Sequence, residues 1–184
     1  GTWSARGASQ CTQCKAGYFG SEEALTLPTC TGPCADGFLC PAGSVSSTAA
    51  LCPGGTWRAG AMTQCEDCLP GHFGLATSVR VRETCDGPCD AGYLCQPGSD
   101  TPRQLQCSTT DPGLYCPAGS FTPLVVPPGS FSVTDFASRQ PGVEEHSIRT
   151  GHKLCQPGYT CQGGIASPCP DGAFQNKSGQ TSCE

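Results

Sequence analysis

Cys52-Pro53-Gly54-Gly55-Thr56-Trp57, followed by Cys65-Glu66-Asp67-Cys68, is the stretch that decides how this chain folds. Its Gly-Thr-Trp triplet already stands at Gly1-Thr2-Trp3, and Cys65 and Cys68 repeat Cys11 and Cys14, 54 residues on. Cys30, Cys34, Cys40 and Cys52 return as Cys85, Cys89, Cys95 and Cys107, 55 residues on. Six cysteines in register with one single-residue slip define an internal repeat, and periodicity of this kind must be read before any local signal. Residues 1–51 form the first repeat and 52–106 the second. A degenerate third repeat covers 107–154, where Cys116-Pro-Ala-Gly-Ser120 copies Cys40-Pro-Ala-Gly-Ser44. A partial fourth covers 155–184, where Cys155 to Cys161 copies Cys89 to Cys95 and Cys169 to Phe174 copies Cys52 to Trp57.

Composition says what must hold such repeats together. The 184 residues include 17 cysteines, 25 glycines and 17 prolines, with only 36% hydrophobic residues. A cysteine share of about 9% marks a disulfide scaffold. Apolar side chains are too scarce for one large core to offset a chain entropy of about 1–2 kcal/mol per residue. Bridges that restrict the unfolded chain supply the difference, at roughly 3 kcal/mol for a loop of ~15 residues. Bridges persist in oxidising compartments, so an extracellular or cell-surface location is expected. The net charge is −5 with ten Lys plus Arg and no basic run, which argues against nucleic acid as a partner. The longest apolar stretch, around Leu124-Val125-Val126, is far below the ~20 residues of a membrane span. No signal peptide is visible and the chain begins at Gly1, as expected of a processed product or a fragment.

The third repeat constrains the pairing. Val126-Pro127-Pro128-Gly129-Ser130-Phe131 aligns without gaps on Cys52 to Trp57, Arg139 falls where Cys65 is matched, and counterparts of Cys68 and Cys85 are missing too. Cysteines lost together are expected to be bonded among themselves. Nearest-neighbour pairing follows as a hypothesis: Cys14–Cys30, Cys34–Cys40, Cys52–Cys65, Cys68–Cys85, Cys89–Cys95, Cys107–Cys116, Cys155–Cys161 and Cys169–Cys183. Bridges 52–68 and 65–85 satisfy the same co-loss, and sequence alone does not fix connectivity. Only Cys11 is stranded. Its repeat-mate Cys65 pairs five residues before Trp57, and the matching position before Trp3 lies upstream of Gly1.

Pro-Gly and Gly-Pro pairs such as Gly32-Pro33, Pro70-Gly71 and Pro157-Gly158 mark turns. Between them, Val79-Arg80-Val81-Arg82 and Phe131-Ser132-Val133 read as brief strands. Helical periodicity is absent. The expected fold is small and disulfide-rich: tandem modules with short β-hairpins and little helix, in an extended rod-like stack. Aromatic residues recur at fixed places beside cysteines, with Trp3, Trp57, Phe131 and Phe174 at one and Phe38, Tyr93, Tyr115 and Tyr159 at another. Each ring is expected to cover a disulfide.

Chemistry is sought and mostly not found. Cys11-x-x-Cys14 and Cys65-x-x-Cys68 invite zinc, yet a zinc site wants four closely grouped ligands, the histidines are His72, His146 and His152, and the repeat continues with proline-rich disulfide spacings. There is no phosphate loop, nucleophile elbow or His-Glu-x-x-His. Catalysis, metal and cofactor are therefore not expected. Asn176-Lys177-Ser178 is a glycosylation sequon, read as an exposed turn of the last hairpin. Residues 121–154 contain no cysteine but carry Glu144, Glu145, His146 and Arg149, a possible contact surface. The plainer reading of that segment is a loop or short sheet replacing the missing bridges.

Cys52-Pro-Gly-Gly-Thr-Trp…Gly60-Ala-Met-Thr-Gln-Cys65-Glu-Asp-Cys68 resembles the ephrin-receptor-like cysteine-rich repeat, as does Cys169-Pro-Asp-Gly-Ala-Phe…Gly179-Gln-Thr-Ser-Cys183. That repeat is similar in style to growth-factor-like (EGF-like) and tumour-necrosis-factor-receptor-like modules. The resemblance covers the chain outside 121–154. It implies structural cysteines and a place in a long array of a large surface protein of protist or algal type. The expected function is a structural extracellular spacer, or a subunit of a cell-surface or filamentous assembly such as a flagellar hair. Its partners would be copies of itself or neighbouring domains, with attached glycans. The competing expectation is a receptor or adhesion ectodomain that binds a protein ligand.

Overall fold

The computed structural model describes residues 1–60, 62–107, 111–134 and 148–184. Among them there is no helix. Every strand is short, because a proline or glycine interrupts the chain every few residues and limits each ladder to a few bonds. In chain order the strands are β1 Thr2–Trp3, β2 Thr12–Gln13, β3 Tyr18–Phe19, β4 Gly32–Pro33, β5 Phe38–Leu39, β6 Ala50–Leu51, β7 Thr56–Trp57, β8 Glu66–Asp67 and β9 His72–Phe73. They continue as β10 Gly87–Pro88, β11 Tyr93–Leu94, β12 Leu105–Gln106, β13 Leu114–Tyr115, β14 Leu124–Val125, β15 Ser130–Val133, β16 Gly151–Leu154, β17 Tyr159–Gln162 and β18 Ile165–Pro168. Each pairs with its sequence neighbour, β1 with β2 through β17 with β18. Registers such as Tyr18↔Pro33, Thr56↔Asp67 and Phe131↔Lys153 are antiparallel.

Two compact units are present. One comprises 1–87 with 97–101, the other 88–96 with 102–184. All eight bridges adopt the nearest-neighbour pairing: 14–30, 34–40, 52–65 and 68–85, then 89–95, 107–116, 155–161 and 169–183. The alternative 52–68 with 65–85 is thereby excluded. Cα–Cα separations run from 5.7 Å at Cys155–Cys161 to 6.1 Å at Cys89–Cys95, inside the span a bridge requires. Cys11 is a free, exposed thiol.

Sulfur, more than hydrocarbon, fills the interior. Cys14, Cys68, Cys95, Cys116, Cys155 and Cys161 are fully buried. The rings are less enclosed than the sequence suggests: of the described aromatics only Tyr93 is buried, Trp3, Trp57 and Phe131 are half-buried, and Phe174 and Tyr159 are exposed. They flank the bridges as partial covers and do not form sealed cores.

Val79-Arg80-Val81-Arg82 is not a strand. Its alternation is inverted, with Val79 and Val81 exposed and Arg80 buried. Arg80 Nε donates to the Thr56 carbonyl at 2.5 Å, and Nη2 donates to Cys52 and Pro53 carbonyls at 2.8 and 2.7 Å. Its Nη1 donates to the carbonyls of Leu75 and Ser78. The guanidinium thus sits in the interior and donates to five backbone carbonyls, two of which, Pro53 and Leu75, also accept from Thr56 N and Ser78 N. Gly74 makes the room, since a Cβ there would lie 2.4 Å from Arg80 Cδ. Burial pulls this guanidinium below its ordinary value, and the Asp86 carboxylate opposes the shift. Arg58 is a second buried arginine, donating from Nη1 to the Ala35 carbonyl at 3.1 Å.

Candidate functional site

The residues singled out as a contact surface separate. Glu144, Glu145 and His146 lie outside the described residues. Arg149 is half-buried, its Nη1 donating to Ser132 Oγ at 2.7 Å and its carbonyl accepting from Cys116 N at 2.9 Å. Arg149 therefore ties the β15–β16 hairpin to the bridge at Cys116. Nearby, His152 meets Tyr115 edge-on at 5.1 Å between centroids. The β15–β16 hairpin occupies part of the cysteine-free segment, as the plainer reading of it expects: four paired positions, Ser130↔Leu154 to Val133↔Gly151, stand where bridges are absent.

Asn176, Lys177 and Ser178 are all exposed, inside the loop closed by Cys169–Cys183. The turn is ordered by Lys177 N donating to Gln175 Oε1 at 3.0 Å, with Gln175 itself buried. The sequon is thus presented outward on a stapled loop.

Three of the four sulfurs in the two Cys-x-x-Cys pairs are oxidised, Cys14 with Cys30, Cys65 with Cys52 and Cys68 with Cys85. No group of three or more His, Cys, Asp or Glu among the described residues is placed to hold a metal ion. A depression of about 370 Å³ in the first unit is lined by Ala16, Leu39, Pro41, Pro53, Thr56 and Thr63, with no titratable side chain. No helix among the described residues is long and apolar enough to cross a membrane.

The recurring arrangement is the contact between one hairpin and the next. Cysteines 14, 34, 52, 68, 89, 155 and 169 each have glycine three residues on, a Cys-x-x-Gly period shorter than the 54-residue repeat. Sequence reasoning found the long period and missed this one, although the glycines are its signal. The turn puts the glycine at positive φ, for example +85° at Gly17 and +84° at Gly92, a conformation that costs other residues energy.

Three backbone bonds then join neighbouring hairpins. Gly17 N donates to the Cys40 carbonyl at 2.8 Å, Gly20 N to Ser44 at 2.9 Å, and Gly43 N to Cys14 at 3.0 Å. The second unit repeats the set: Gly92 N to Cys116 at 2.7 Å, Cys95 N to Ser120 at 3.1 Å, and Gly119 N to Cys89 at 2.9 Å. It recurs as Gly158 N to Gln175 at 2.7 Å, Cys161 N to Gln180 at 2.9 Å, and Gly179 N to Cys155 at 2.9 Å. The Cys-Pro-Ala-Gly-Ser motif acquires a physical meaning here. Its cysteine and serine carbonyls accept, and its glycine N–H donates, all to the preceding hairpin.

No protein-family model matches the chain, and no curated protein matches it. What places the chain is therefore its own chemistry: dense disulfides belong to an extracellular or secreted cysteine-rich protein.

Proposed function

We propose that this chain is a structural segment of an extracellular assembly, a spacer or subunit built from ephrin-receptor-like modules. The single observation that carries the reading is the three-bond clasp, made by backbone groups and repeated at Cys14/Cys40, Cys89/Cys116 and Cys155/Gln175. A contact made by main chain tolerates wide variation in side chains, as an array element with a mechanical task requires. The same geometry recurs inside both units, in keeping with repeat proteins whose stability is a sum of nearest-neighbour interfaces. A glycan at Asn176 would suit an exposed position in the secretory route.

Receptor function is the second reading, favoured by the exposure of Phe121, Leu124, Val125 and Leu154 around the cysteine-free segment. Electron microscopy of native material labelled with antibody against this chain separates the two. Regular labelling along surface fibres or a wall layer supports the structural role. Label confined to dispersed membrane sites, with capture of one discrete protein partner, overturns it.

A further inference from the structure

In three of the modules the residue after the repeated ring points inward while the residues on either side of it stay outside. Arg58 is buried between half-buried Trp57 and Ala59, and Ser132 between half-buried Phe131 and Val133. Gln175 is buried in the same way, between exposed Phe174 and exposed Asn176. Extended backbone alternates its side chains, so the ring and the residue two places on share the outer face. Ala59 and Val133 hold that second place in the earlier modules, and the sequon asparagine holds it in the last.

The arrangement is fixed around the Cys169–Cys183 bridge. Phe174 N donates to the Glu184 carbonyl at 3.0 Å and Glu184 N to the Phe174 carbonyl at 2.9 Å, so Phe174 is one rung of an antiparallel pair. Gln175 is held inward by both ends of its amide. Its Nε2 donates to the Ser182 carbonyl at 2.9 Å, and its Oε1 accepts from Lys177 N at 3.0 Å. With Gln175 locked, Phe174 and Asn176 are left facing out. Residues two apart on extended chain stand about 6–7 Å from each other, and Phe174 is 59% exposed.

We propose that Phe174 is the platform for the first sugar of a glycan on Asn176, an N-acetylglucosamine whose apolar face lies against the ring. A pyranose presents C–H groups on one face, and the negative face of an aromatic quadrupole attracts them. The contact also removes apolar area of both partners from water. The glycan is then held in one direction on the module and does not sweep freely about its attachment. The inference rests on the glycosylation of Asn176 proposed above and gives that sugar a partner in the protein.

The full chain, secreted from a eukaryotic cell that makes high-mannose glycans, tests this. Nuclear magnetic resonance with isotope-labelled sugar reads the protons of the first N-acetylglucosamine. The ring current of Phe174 is expected to shift them upfield of their values in the unfolded glycoprotein. Trimming with an endoglycosidase that leaves this one sugar keeps the shift, and Phe174→Leu abolishes it. Stability gives a second reading. Full removal with a peptide N-glycosidase should raise the unfolding equilibrium constant by about 2- to 10-fold, the range spanned by one aromatic contact. In Phe174→Leu the same treatment should change it by less than about 2-fold. A glycosylated chain whose first-sugar protons are unshifted, or equal effects of removal in the two backgrounds, overturns the contact alone. A chain secreted without sugar at Asn176 overturns the sequon and the contact together.

Discussion

Two arginines and one asparagine carry the residue-scale consequences. Arg80 donates to carbonyls of Cys52, Pro53, Thr56, Leu75 and Ser78 while almost wholly removed from solvent. Replacing it with methionine removes these bonds, although the Pro53 and Leu75 carbonyls keep Thr56 N and Ser78 N as donors, and each lost bond to a charged group costs about 1.5–3 kcal/mol before relaxation. Arg80→Met is expected to lower stability by at least about 3 kcal/mol, read as a shift in denaturant midpoint. Arg82 is exposed, and Arg82→Met is expected to stay within about 0.5 kcal/mol of the parent. For Asn176, material secreted from a eukaryotic cell should lose mass on treatment with a peptide N-glycosidase, and Asn176→Gln should abolish that loss. An unchanged mass on treatment of the parent chain would remove the glycan from the proposal. The buried arginines were not legible in the sequence. Val79-Arg80-Val81-Arg82 alternates as a strand does, and nothing local says that Arg80 turns inward while Arg82 stays exposed.

At the scale of the element, the unit is a two-stranded hairpin begun by Cys-x-x-Gly. Its isolated ladder of two bonded pairs is marginal in water. The hairpins survive because bridges close them and clasps join them. Gly55 illustrates the constraint: it holds φ +76°, and a Cβ there would fall 1.9 Å from the Gly98 carbonyl oxygen. Gly7 has a similar φ of +83° but open space around it. Alanine at Gly7 therefore meets only the left-handed backbone cost of about 1–2 kcal/mol. Alanine at Gly55 adds displacement of a backbone carbonyl, and we expect it to cost about 1–3 kcal/mol more. Thermal or denaturant melts of the two variants make the comparison; equal losses would mean that the Gly55–Gly98 approach is not maintained in solution.

For the whole molecule, stability is distributed among many small closures. The loop-entropy relation gives about 3 kcal/mol for a 17-residue separation such as Cys68–Cys85 and about 2 kcal/mol for a six-residue one such as Cys89–Cys95. Summed over eight bridges, these terms exceed the net stability of an ordinary domain of about 5–15 kcal/mol. Full reduction is therefore expected to abolish the near-ultraviolet dichroism of the chain. Before reduction, alkylation under denaturing conditions should add one label, at Cys11. Several labels would contradict the pairing.

The sequence by itself narrowed the covalent plan to short-range pairs, and the structure chose 52–65 with 68–85 over 52–68 with 65–85. Loops of 6 to 17 residues leave every cysteine but Cys11 a close partner, and the cysteines missing together from the third repeat are expected to be bonded among themselves. Of the strands read from sequence, Phe131-Ser132-Val133 is β15, whereas Val79–Arg82 is not a strand and Gly32-Pro33, read as a turn, is β4. Tertiary structure alone decided what fills the space between hairpins. Between Cys52–Thr56 and Leu75–Ser78 that space is lined with carbonyls, so the Arg80 guanidinium enters it with its donors while Val79 and Val81 stay exposed.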